Sequence, residues 1–96
     1  MIIPESVKIA GQVMTIKLDQ WLASSEDRYG ESSSMRGQIT LDSTQPILHQ
    51  QSTLLHEILE TINKDNEIGL EHRQITTLAT QLHQVITDNP NIFKEG

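Results

Sequence analysis

The stretch Ser52-Thr53-Leu54-Leu55-His56-Glu57-Ile58-Leu59-Glu60-Thr61-Ile62-Asn63 decides how this chain is read. Leu54, Leu55, Ile58, Leu59 and Ile62, with Ile47 upstream, recur at three- and four-residue intervals, the spacing of one buried helix face rather than of a strand. Pro46 suits a first helical turn, where its missing N–H would be unpaired anyway, and Ser43 or Thr44 offers a side-chain cap ahead of it. The spacing therefore predicts a helix from about Pro46 to about Asn63.

Downstream, the polar run Asn63-Lys64-Asp65-Asn66-Glu67 followed by Ile68-Gly69-Leu70 breaks the pattern. A second helix is expected over about 71–87, with Ile75, Leu78, Ala79, Leu82, Val85 and Ile86 on one face and Asp88-Asn89-Pro90 as its stop. Two amphipathic helices joined by so short a link pack antiparallel.

Upstream the period changes. Val7-Lys8-Ile9, Ala10-Gly11 and the following Val13, Met14, Ile16 and Leu18 read as two strands around a turn. Trp21 and Leu22 anchor a short connection, and the polar stretch Ser24-Ser25-Glu26-Asp27-Arg28 reads as a loop. Tyr29–Ser34 and Met35–Asp42 are expected to form two further strands, the second alternating at Ile39 and Leu41. The expected fold is thus α+β: a small N-terminal antiparallel sheet packed on two C-terminal helices. A single domain over 1–96 is expected, with residues 1–42 as the sheet part, 43–90 as the helix pair and 91–96 as a tail.

Ninety-six residues leave no room for a second core. With one Trp, one Tyr and one Phe there is no aromatic platform for single-stranded nucleic acid. The net charge of −6, with seven Lys and Arg scattered along the chain, opposes binding to a phosphate backbone, while it would suit a basic partner. Without cysteine, any metal site must be built from His, Asp and Glu. No apolar run approaches the roughly 18 residues of a membrane span, and Met1-Ile2-Ile3-Pro4-Glu5 lacks the features of a signal peptide, so a cytoplasmic protein is expected.

Within the first helix, His56 and Glu60 stand one turn apart on the same face, with Glu57 beside them. This H-E-x-x-E differs by one residue from the H-E-x-x-H of zinc peptidases, whose outer residues bind the ion and whose Glu serves as general base. An i,i+4 His–Glu pair can also do no more than add about 0.2–0.5 kcal/mol of local pairing. His49, two turns earlier, reads as a solvated helix residue. His83 lies eleven residues past His72, about 16 Å along a helix, so the two cannot share an ion, and its place at the edge of the apolar stripe suggests packing.

The wider text carries a resemblance. Val7-Lys8-Ile9-Ala10-Gly11, Gly37-Gln38-Ile39-Thr40-Leu41-Asp42-Ser43, the helix Ser52–Asn63, Leu70-Glu71-His72 and Leu82-His83-Gln84-Val85-Ile86-Thr87-Asp88-Asn89-Pro90 together resemble a group of small zincin-like metallopeptidases encoded by phages and prophages. The resemblance covers nearly the whole chain. It implies His56 as the first zinc ligand and Glu57 as the catalytic base, while Glu60 stands where a second ligating His is usual. It places the third ligand at the start of the second helix, where Glu71 and His72 are both available. His72 is preferred, because His56, Glu60 and His72 make a His₂Glu set familiar from zinc sites, whereas two carboxylates would favour harder ions such as Mg or Mn. The implied function is zinc-dependent hydrolysis of a peptide or protein. The alternative is a non-catalytic acidic phage protein that binds and inhibits a host factor.

Overall fold

The computed structural model describes residues 1–26 and 28–94. Strands β1 (Ser6–Ile9) and β2 (Gln12–Asp19) form the expected hairpin. Its turn residues Ala10 and Gly11 both take positive φ, 49° and 86°, as a two-residue I′ turn requires. Strands β3 (Gly30–Ser33) and β4 (Gln38–Asp42) form a second hairpin, β3 shorter at both ends and β4 starting later than the sequence suggests. The turn between them takes up Met35 and Arg36, with Gly37 at φ 62°.

The four strands make one sheet in the order β1-β2-β4-β3. Two pairings are antiparallel, as expected, but β2 and β4 run parallel, with Ile16 opposite Ile39 and Leu18 opposite Leu41. This departs from the all-antiparallel expectation for a topological reason. The chain leaves β2, crosses to the far edge to lay down β3, and β4 then returns between them in the direction of β2.

That crossover contains the second departure. Residues assigned to a loop instead form a short helix, α1 (Leu22–Glu26); Asp27, the next residue of that assignment, lies outside the described residues. Two carboxylates from the sheet explain the turn: Asp19 accepts the Trp21 N–H at 2.8 Å, and Asp42 accepts the Ala23 N–H. Leu22 anchors the helix at 2% exposure, whereas Trp21, expected to help, is 64% exposed. Asp42 also accepts the Thr44 N–H and hydroxyl. These donors hold its carboxyl below the usual carboxylate range, the Thr44 hydroxyl first among them.

Helix α2 (Ile47–Asp65) crosses the sheet, and α3 (His72–Asp88) packs on α2. Pro46 itself is the N-cap of α2, with no side-chain capping bond. Ser43 and Thr44 lie too far upstream to serve, and Thr44 spends its hydroxyl on Asp42. The link between the helices is fixed by Asn63, whose side chain accepts from Leu70 N–H at 2.8 Å and donates to the Leu70 carbonyl. Glu71 caps α3 in a reciprocal box with Gln74.

The core joins Ile9, Met14, Ile39 and Leu41 of the sheet to Leu54 of α2, with Ile16, Ile58 and Ile62 around them. The predicted helical stripes are only partly buried. Leu54, Ile75 and Ala79 are enclosed, but Ile47 at the start of α2 is exposed, and so are Leu78 and Leu82, because α3 rests on α2 alone over most of its length. Among the described residues no helix is long and apolar enough to cross a membrane.

Candidate metal centre

One side of α2 faces a cleft of about 460 Å³ between the start of β3 and the facing side of α3. Helical periodicity puts His49, Thr53, His56 and Glu60 on that side, at steps of three or four residues. The capped start of α3 brings His72 across to meet them.

His56, Glu60 and His72 offer ligand atoms that all lie within 4.8 Å of one another. His56 Nε2 is 3.4 Å and His72 Nδ1 is 3.5 Å from the same Glu60 Oε1. Donor atoms about 2.0–2.2 Å from a tetrahedral zinc stand roughly 3.3–3.5 Å apart, so two of the three separations already match such a centre. The imidazole centroids are 4.9 Å apart, with the rings inclined at 62°. Burial depresses the His56 pKa, the largest influence on it, partly countered by the Glu60 carboxylate and reinforced by His72. A neutral imidazole with a free lone pair is the ligating form. The three residues can therefore hold a metal ion. Of the two candidates at the start of α3, His72 joins this group, while the Glu71 carboxylate is engaged in capping its own helix.

Glu57 lines the same cleft at its β3 wall, beside Gly30. It is buried, its side chain bonded by the Ser32 hydroxyl, and its carboxyl is pushed up to about 7. Desolvation is the main cause; the charges of Glu60 and Glu31 add to it, and Ser32 and Arg28 oppose it. The enclosure depends on Gly30. A Cβ there would fall 2.5 Å from Thr53 Cγ2 and 3.3 Å from both Glu57 Cγ and Oε2. The absence of a side chain lets the strand lie directly on the helix and seal the acid.

No sequence motif marks Gly30, Ser32 or Thr53. A glycine opening a strand is a signal of close backbone approach, but nothing in the sequence says to which helix. His49 is exposed, as expected, yet its ring meets Tyr29 edge-on with centroids 4.9 Å apart. His83 is half-buried and donates to Gln51 Oε1 at 2.8 Å, and Gln51 in turn donates to the Met1 carbonyl, so this histidine serves packing between α3, α2 and the N-terminal segment.

Compared with family models, curated proteins and solved structures, the chain matches none.

Proposed function

We propose that this chain is a zincin-like, zinc-dependent hydrolase of phage origin that cleaves peptide bonds. The observation supporting it is the convergence of His56, Glu60 and His72, from two helices, at a cleft that His56, His72 and the buried Glu57 line. Zinc held there supplies Lewis acidity at the cleft. His56, Glu60 and His72 would hold the ion, with Glu60 the single anionic ligand, so ion and ligands together would stay positive toward the carboxylate of Glu57.

Glu57 is the general base. A carboxyl with pKa about 7 takes a proton from water more readily than an ordinary glutamate, and a cation nearby favours its ionised form. In the proposed reaction water adds to the carbonyl carbon, Glu57 accepts the water's proton and passes it to the amide nitrogen, and the C–N bond breaks to give an acid and an amine. Gly30 and Ser32 position the base: one by letting β3 approach, the other by bonding its carboxyl.

The net charge of −6 and the anionic Glu60 ligand favour a second reading, an acidic phage protein that binds and blocks a host factor without catalysis. Zinc-loaded protein purified without a histidine tag should cleave a quenched-fluorescence peptide mixture, and Glu57→Gln should abolish cleavage while leaving zinc affinity nearly unchanged. Zinc binding with no cleavage of any peptide would favour the blocking protein. Loss of zinc affinity in Glu57→Gln would mean that Glu57 is a ligand or a structural residue.

A further inference from the structure

The cleft does not end at the three converging residues. It continues along α2 for two turns, past Thr53 and Ser52, to a second end walled by Tyr29, His49 and Arg28. Seven helical residues separate His56 from His49, about 10 Å along the axis. An extended peptide covers that distance in about three residues.

The far end has its own chemistry. Tyr29 is held in place by its carbonyl, which accepts the Asp42 N–H at 2.8 Å, yet it remains 51% exposed. Its ring and that of His49 meet at 72°. Gln45 Oε1 lies 3.2 Å from His49 Nδ1. An amide oxygen only accepts, so Nδ1 donates in this contact, which helps fix the ring in place. The Arg28 guanidinium on the same wall is bridged to Glu31 Oε2 at 3.2 Å, which offsets its charge. What remains is the Tyr29 ring, braced edge-on by His49, on a protein of net charge −6, a combination that attracts a cationic side chain.

We propose that Tyr29 and His49 form a distal subsite for a lysine or arginine side chain about three residues from the bond presented to the His56–His72 end. The protein's ligand is then an extended basic peptide. The proposal names the substrate class of the hydrolase reading and rests on it for the register, but the subsite itself needs neither metal nor turnover.

The test is titration of ¹⁵N-labelled protein, with and without zinc, by three blocked alanine–serine octapeptides that differ only in carrying lysine, norleucine or glutamate at the fourth position. The lysine peptide should bind about fivefold more tightly than the norleucine peptide and perturb residues at the Tyr29 end of the cleft. Tyr29→Ala and His49→Ala should each erase that preference with zinc affinity unaltered, and Tyr29→Phe should retain most of it. Equal binding of lysine and norleucine, no binding of either, or a preference that survives both alanine variants would overturn the proposal. A lysine preference in a chain that fails to bind zinc would remove the hydrolase reading and leave the subsite standing.

Discussion

Replacing Gly30 by alanine tests how the candidate base is enclosed. The added methyl would sit 2.5 Å from Thr53 Cγ2, about an ångström inside ordinary van der Waals contact, and Glu57 Cγ and Oε2 at 3.3 Å block escape to the other side. The strand must lift from α2 or Thr53 must change rotamer, and overpacking of this kind costs about 1–3 kcal/mol. For a chain of this length that corresponds to a fall in Tm of roughly 4–24 °C, at about 4–8 °C per kcal/mol. Thr53→Ala removes the obstructing methyl, so Gly30→Ala should cost about 1 kcal/mol less in that background, a coupling expected of side chains in direct contact. Rescue should be partial because the Glu57 contacts persist. Urea denaturation of the parent, both single variants and the double variant gives the cycle. If Gly30→Ala is neutral within about 0.5 kcal/mol, or costs as much in the Thr53→Ala background as in the parent, the strand is not seated on the helix as described and the burial of Glu57 has another cause.

Three further outcomes follow from the same structure. Burial raises the Glu57 carboxyl from its ordinary 4.5 to about 7, so without metal its ionisation opposes folding. That penalty is absent below pH 4.5, grows between 4.5 and 7 and is complete above, which makes Glu57→Gln stabilising at pH 8 by up to about 3 kcal/mol and nearly neutral at pH 4, as urea titrations at the two pH values would show. Ala10 sits at φ 49°, a conformation that costs an L-residue about 1–2 kcal/mol, so Ala10→Asn should raise stability by about 0.5–1 kcal/mol; a lower Tm would contradict the turn geometry. Glu60→His restores H-E-x-x-H with position 60 already facing His56 and His72, and should tighten zinc about tenfold or more in competition with a chelating dye, provided the new imidazole is oriented by its neighbours; unchanged affinity would mean that residue 60 does not face a metal.

The helices were legible because their signals are local: a 3.6-residue apolar period, Pro46 ahead of the first and Asp88-Asn89-Pro90 behind the second. The first hairpin was legible for the same reason, from alternation on both sides of Ala10-Gly11. Where an element depends on a distant partner, local pattern failed. Helix α1 is set up by carboxylates of β2 and β4 that receive the N–H of Trp21, just before it, and of Ala23, within it, and a serine-rich sequence carries no trace of that. The parallel pairing of β2 with β4 is likewise a consequence of chain path. At the site, the one-turn spacing of His56 and Glu60 was readable from the motif, and His72 entered through the family resemblance; its meeting with Glu60 depends on the Asn63 clasp that sets the angle between helices. The Gly30–Thr53 contact and the Tyr29–His49 pair join residues about twenty positions apart without a motif, and only the fold reveals them.

The most direct test of the account is cobalt(II) titration of tag-free, chelator-treated protein, followed in the visible spectrum and repeated on His56→Ala, Glu60→Ala and His72→Ala. One ion per chain is expected, displaced stoichiometrically by zinc, with intense bands of a four-coordinate site in the parent and at least a tenfold loss of affinity in each variant. A parent that takes up no cobalt and no zinc, or a His72→Ala variant that binds as tightly as the parent, would contradict it.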